Sequence, residues 1–285
     1  MPTQKEKGAR FRALHRRKGA FVIPNPWDMG TARLLAQLGF EALATTSAGC
    51  AFSRGLPDGK VTRLTALAHI AELAHAVDLP VSADLENGFA DCPEQVAETI
   101  RMAAAAGVVG GSIEDATGNG ERPIYPLKLA VERIAAAAEA AHALPFPFTL
   151  TARAENFLHG RRDLEDTVRR LRAYQEAGAD VVYAPGLTTA EEIRAVVGCV
   201  KRPVNVLMMA KGPAASVAQL ARLGVKRVSV GSALNRTALG AFLNGARELV
   251  DCGTFHFAEG AVPYAEVNRQ FRAYAAAGDD PDVTR

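Results

Sequence analysis

The chain has 285 residues, 48% hydrophobic and 22% charged, with a net charge of +2 and a mean hydropathy of +0.01. That balance belongs to a globular chain, and no apolar run is long enough to cross a bilayer, which excludes a membrane protein. Four cysteines, Cys50, Cys92, Cys199 and Cys252, lie far apart with no CxxC pair, arguing against both a zinc site and a disulfide framework.

Residues 1–18 carry seven basic side chains and one acid, whereas the rest of the chain holds 26 basic and 30 acidic residues. This start has no apolar stretch followed by a small-residue cleavage site, so it is not a secretory signal and a cytoplasmic protein is expected. It reads as a solvated basic helix rather than an arm for nucleic acid.

From residue 20 onward, short β-branched or apolar runs recur: AFVIP (20–24), ALATTS (42–47), LPVSADLE (79–86), VVGGSIED (108–115), FTLTARAE (148–155), DVVYAPG (180–186), VNVLMM (204–209) and RVSVGS (227–232). Between these predicted strands lie alanine- and leucine-rich segments with helical spacing, such as Leu34, Leu35 and Leu38, or Val168, Leu171 and Tyr174. Several of them end in a glycine before the next strand, as in AQLGF, AAAAGV, QEAGAD and ARLGV. Eight strand–helix units with no linker between them predict one (β/α)₈ TIM barrel over residues 20–250, in a single domain spanning 1–285. No GxGxxG follows the first strand, against a dinucleotide-binding sheet. In the tail, 255–285, Val267, Phe271 and Tyr274 predict an extra C-terminal helix against the barrel or a neighbouring subunit, with the last residues, 278–285, frayed.

Catalytic groups of such a barrel come from the C-terminal ends of its strands. The third run ends Asp84-Leu85-Glu86, a period-two pair expected on one strand face, and the fourth ends Glu114-Asp115. Acids converging in one mouth repel unless a cation sits among them, so Asp84, Glu86 and Glu114 are candidate Mg²⁺ ligands, with Mn²⁺ as an alternative. Asp115 reads as structural and Asp28 as a helix N-cap. Arg153 and Glu155 share a face at the end of the fifth run, where Arg153 suits bidentate grip of a substrate carboxylate or an ion pair with Glu155 or Glu114. Glu155 and Asn205 join it as substrate-binding candidates. The small-residue turn 45–49 offers backbone amides to an oxyanion, and the loop after it is long enough to bring Asp58 over the mouth, although its spacing equally fits a plain surface-turn Asp. Cys50 lacks a histidine partner for nucleophilic work, and Gly231-Ser232 reads equally as a phosphate cradle or a helix cap.

TTSAGCAFSRGLPDG, SADLENGF, GGSIED and LTARAENF, in that order and spacing, resemble the isocitrate lyase/phosphoenolpyruvate mutase superfamily over about residues 20–250. The resemblance implies a barrel whose eighth helix is exchanged between subunits of a homotetramer built as a dimer of dimers, and a Mg²⁺ site. It carries the family's loop Asp onto Asp58, the metal-binding acids onto Asp84 and Glu86, the strand-four Glu onto Glu114 and the substrate-gripping Arg onto Arg153. The family's backbone cradle for the substrate carboxylate falls on Thr46, Ser47 and Ala48. Two departures stand out: Glu86 replaces a usual Asp, and Ala116–Arg122 replaces the KKCG-type or Lys-Thr-Asn loop of lyases and mutases. The implied chemistry is cleavage beside a carbonyl that leaves a pyruvate enolate. The expected function is a carbon–carbon lyase on a small 2-oxo or hydroxy di- or tricarboxylate, like oxaloacetate decarboxylase or methylisocitrate lyase. The rivals are a carbon–phosphorus enzyme, like phosphonopyruvate hydrolase or phosphoenolpyruvate mutase, and a non-catalytic 2-oxo acid binder.

Overall fold

Short β-branched runs separated by crossover helices can pair only in parallel. The strands are β1 (Phe21–Ile23), β2 (Leu43–Ala44), β3 (Val81–Asp84), β4 (Gly110–Glu114), β5 (Thr149–Arg153), β6 (Val181–Tyr183), β7 (Val204–Leu207) and β8 (Arg227–Ser229). In this computed structural model, which describes residues 2–208 and 216–275, they pair in the order β1-β8-β7-β6-β5-β4-β3-β2. The remaining seam is bridged where the Ala44 amide donates to the Pro24 carbonyl at 3.0 Å. The result is the expected (β/α)₈ barrel. Met209 of the seventh run and the segment 278–285 lie outside the described residues.

The helices are α1 (Gln4–Arg16), α2 (Met29–Gln37), α3 (Ser47–Phe52), α4 (Arg63–Ala76), α5 (Pro93–Ala105), α6 (Leu127–His142), α7 (Leu164–Glu176), α8 (Ala190–Cys199), α9 (Val217–Arg222), α10 (Ala233–Asp251) and α11 (Tyr264–Ala275). Among the described residues, none is long and apolar enough to cross a membrane. The glycine stops act as read: Gly178 takes φ 105°, and a Cβ there would lie 2.8 Å from Ala138, so only glycine fits. Asp28 caps α2 by accepting from the Thr31 amide at 2.7 Å.

Two readings change. The basic start is not merely solvated, because α1 turns Phe11 and Leu14 inward onto Phe21, Ala42 and Val109 at the N-terminal ends of their strands, in one cluster with Ile23. It closes that end of the barrel, and Gly110 makes the room, since a Cβ there would meet the Phe11 ring at 2.8 Å. Gln4 ties the plug down by donating to the Ala104 and Val108 carbonyls at 2.7 and 2.9 Å. The second run stops being a strand at Ala44, because Thr46 caps α3 and starts a helical turn where a loop was expected.

The tail helix α11 packs on α2, where the Tyr274 hydroxyl donates to the Arg33 carbonyl at 3.1 Å. By contrast α10, the helix after β8, buries only Asn235 and Gly245 and leaves Leu239, Phe242 and Leu243 exposed.

Candidate active site

The C-terminal strand ends gather acids around one guanidinium. Arg153, the last residue of β5, reaches Asp84 Oδ1 through Nη1 at 2.9 Å, and Glu114 Oε2 and Glu155 Oε1 through Nη2 at 3.1 and 2.9 Å. Its Nε also donates to Glu155 Oε1 at 3.0 Å, and its charge lies 5.3 Å from the Tyr183 ring centre. Asp84 in turn accepts from the Ser47 amide at 3.0 Å, so the start of α3 is stitched to the end of β3. The ion pair expected as one reading of Arg153 is therefore present, with the guanidinium held between three carboxylates.

The period-two argument for the acids fails in detail. β3 ends at Asp84, and Glu86 lies beyond it with φ 49°, a left-handed backbone that a side chain normally avoids. β5 likewise ends at Arg153, before Glu155. The residues still converge because the loops, rather than the pleat, turn them inward. Glu86 and Asp84 both border a small pocket under Thr46 and Cys50, while Glu86, Glu114, Glu155 and Asp58 line an outer cavity of about 480 Å³ with His159.

An inner cavity of about 230 Å³ opens beside it, lined by Thr46, Ser47, Ala48, Asp58, Asp84, Arg153 and Asn205. Every candidate residue thus borders one of two adjoining chambers. At this size the inner one lies below the range of about 300–1,000 Å³ typical of drug-sized ligands, so it suits a small acid.

Charge crowding shows in the acidities. Burial, then the neighbouring Asp84 and Asp58, push the Glu86 carboxyl up to about 7, against a weaker pull from Arg153. Burial and Asp84 raise Asp58 as well. Burial raises Glu114 well above the usual carboxylate range despite Arg153. Five carboxylates thus surround one guanidinium, a surplus of hard oxygen donors that fits a divalent cation such as Mg²⁺. Among the described residues no three His, Cys, Asp or Glu side chains already form a metal cage, because Arg153 stands between Asp84 and Glu114. The fit is therefore to an ion that keeps much of its water and takes one or two carboxylates directly.

Other candidates resolve into structure. Asp115 is buried, pairing with Arg170 at 3.1 Å and accepting from the Tyr174 hydroxyl at 2.5 Å and the Glu155 amide at 2.8 Å, so it fixes the residue that fixes Arg153. Cys50 is buried, and burial raises its thiol. The Val230 and Gly231 amides donate to Asn25 Oδ1 at 3.0 and 2.9 Å, which takes them away from any phosphate. The sequence reading missed Asn25, Ser112, Tyr183, Arg227 and Ser229, all lining the inner cavity. Nothing in a strand marks which polar residue faces inward until the barrel closes.

Fold and site together define a barrel enzyme with an acid-and-arginine mouth. The family model described as phosphoenolpyruvate phosphomutase matches residues 11–250. The chain belongs to that family, within the phosphoenolpyruvate mutase/isocitrate lyase superfamily, and is an enzyme of that type. A crystal structure from Burkholderia cenocepacia J2315, assigned no more closely than lyase/mutase, is 64% identical with a TM-score of 0.92 and covers 94% of this chain and 96% of that one. The oxaloacetate decarboxylase of Paraburkholderia xenovorans LB400 is 30% identical over 94% of each chain. A 2,3-dimethylmalate lyase structure is 27% identical, with a TM-score of 0.84 over 98% of this chain and all of that one.

Proposed function

We propose that this protein is a Mg²⁺-dependent carbon–carbon lyase, with Mn²⁺ as an alternative ion. Its substrate is a small 2-oxo or hydroxy di- or tricarboxylate, cleaved at a carbon–carbon bond so that charge develops on an enolate: that of pyruvate for a 2-oxo acid, and that of the departing carboxylate fragment for a hydroxy acid. The observation that carries the reading is Arg153, held on the cavity wall by Asp84, Glu114 and Glu155.

Asp84 and Glu86 would hold the ion, with Glu114 reaching it directly or through water. When bound, it supplies Lewis-acid stabilisation of the oxygen on which charge develops. Thr46, Ser47 and Ala48 border the part of the inner cavity that would take the substrate carboxylate, the Ser47 amide being shared with Asp84, and Asn205 lies on the same wall. Arg153 donates to the forming oxyanion, turning to it from Asp84 while Glu114 and Glu155 keep the guanidinium in place. Asp58, on the rim, closes the charged side of the mouth.

The loop over the outer cavity favours a leaving group that needs no proton. Ala116, Thr117 and Gly118 line that cavity, and the Thr117 hydroxyl is spent on the Arg122 carbonyl at 2.5 Å. Release of CO₂ demands no general acid at this point, so oxaloacetate decarboxylation is the reaction that asks least of the loop. The resemblance to an oxaloacetate decarboxylase supports the same choice. The exposed apolar face of α10 supports a homo-oligomer in which a second copy covers it.

The test measures pyruvate release from oxaloacetate and phosphate release from phosphonopyruvate, each with and without EDTA. Metal-dependent pyruvate release is expected. Phosphate release alone would move the assignment to carbon–phosphorus chemistry, and metal-independent turnover would overturn the site.

A further inference from the structure

The turn that carries Glu86 folds against its own backbone preference. Among the described residues, Glu86 and Phe89 are the two residues other than glycine with positive φ, 49° and 57°, and Gly88 between them takes 78°. Left-handed backbone at a residue with a Cβ is strained and persists only where its surroundings over-determine it. A chain that bends this way cannot pair its carbonyls in a ladder, so other donors must hold them. The Leu85 carbonyl accepts from the Gly88 amide at 2.7 Å, the Glu86 carbonyl from the Glu114 amide at 3.0 Å, and the Gly88 carbonyl from the Thr99 hydroxyl at 2.8 Å. Three more carbonyls, of Asn87, Ala90 and Asp91, are held by one side chain, Arg133.

Arg133 stands on the inward face of α6 with Ala130, Ile134 and Ala137, and is only 1% exposed. Its Nη2 donates to the Asn87 carbonyl, and its Nη1 to the Ala90 and Asp91 carbonyls at 2.5 and 2.7 Å. Tyr125 covers the guanidinium, its ring centre 4.1 Å from Cζ, and its hydroxyl donates to the Asp91 carboxylate. Asn87 Nδ2 donates to that hydroxyl at 3.3 Å, and Asn87 Oδ1 accepts from the Phe89 amide at 2.9 Å. Sinking a guanidinium is costly, and burial draws the acidity of Arg133 below the ordinary arginine value. Its planar fork can span three carbonyls at fixed spacing, which the single point donor of a lysine cannot.

We propose that Arg133 is a positioning residue for the cation site, clamping residues 87–91 so that the turn before them keeps Glu86 aimed into the mouth. Arg133 lines neither chamber, so it acts through Glu86 rather than on an ion or a substrate. The clamp is needed because Asp84 and Asp58 repel the Glu86 carboxylate, and relaxing the left-handed backbone would let it swing away from them. This rests on Glu86 being a ligand of the ion and names the residue that keeps that ligand in place. Partners that orient a ligand from behind are typically worth about 10–100-fold in metal affinity.

Calorimetric titration with Mg²⁺ in saturating oxalate, run as a double-mutant cycle of Arg133→Met and Glu86→Gln, tests the clamp. Arg133→Met is expected to weaken Mg²⁺ binding about 10–100-fold, and Glu86→Gln to weaken it at least as much. The double variant should lie within about twofold of Glu86→Gln, because the clamp then has no ligand left to aim. A brace for the fold alone would cost the same factor in both backgrounds. Arg133→Lys, expected to lose affinity in the same way, takes the place of the Met variant in the cycle if that protein does not fold. Native Mg²⁺ affinity in the Arg133 variant, or an equal loss with and without Glu86→Gln, overturns the positioning role alone. Native affinity in Glu86→Gln, or a native protein that takes up no Mg²⁺, overturns the reading of Glu86 as a ligand together with it.

Discussion

The two ends of this barrel are made from the same eight strands and treat charge in opposite ways. At the N-terminal end, α1 closes the strands with Phe11 and Leu14, and the one titratable ring there, His15, is kept neutral by burial, which draws it down to about 3. At the C-terminal end, five carboxylates crowd one arginine, and Glu86 takes a left-handed backbone to reach them. The plug holds the fold together; the mouth stores repulsion among carboxylates that a bound cation would relieve under the proposed function. Stability and function are thereby assigned to different ends, as barrel enzymes generally allow.

The sharpest way to break this division is Arg153→Met. It should lower kcat/KM for the active substrate by about 10³ or more, since removing one preorganised oxyanion donor alone costs about 10²–10³. If the loss were within tenfold, the guanidinium would be only a brace for Asp84, Glu114 and Glu155.

Phe11→Ala probes the other end. Deleting a fully buried phenylalanine costs about 3–5 kcal/mol of stability. The melting temperature should fall while KM, measured well below it, stays unchanged; a changed KM would mean that the two ends are coupled.

Acidity gives the two ends opposite signs. The folded pKa of His15 lies below its ordinary 6.5, so its contribution is full above pH 6.5 and is lost as pH falls toward 3. The folded pKa of Glu86 lies above its ordinary 4.5, so its contribution is full below pH 4.5 and is lost as pH rises through about 7. Denaturation in EDTA across pH 4.5–6.5 should show the two slopes opposing one another, each up to about 1.4 kcal/mol per pH unit. His15→Leu should make stability fall more steeply with pH, and Glu86→Gln should make it fall less steeply, the raised Asp58 and Glu114 keeping part of the fall; the same slope in both variants would refute the assignment. The smallest effect is expected from Arg10→Gln on the solvent face of α1, within about 0.5 kcal/mol and with no change in kcat.

Much of this was legible in the sequence, because periodicity survives where boundaries do not. All eight strands lie within their predicted runs, but β2 shrinks to Leu43–Ala44 since the Thr46 cap competes for the same residues. Asp84, Glu114 and Arg153 stood out because acids and arginine at strand ends have no packing reason to be there. Glu86 reached the mouth through a loop conformation that no spacing rule supplies. Arg227 stayed hidden, since Lys226-Arg227 before a β-branched run reads as a charged strand start. Phe11 and Leu14 were masked by the basic residues around them, which cover the outer face of α1.

The most direct test is a crystal structure of the protein soaked with Mg²⁺ and oxalate, an enolate mimic. The account predicts an ion seated on Asp84 and bridged to oxalate, with the Arg153 guanidinium turned from Asp84 onto the oxalate oxygens. Saturating soaks that leave Arg153 bonded to Asp84, with neither ion nor oxalate in the mouth, would contradict it.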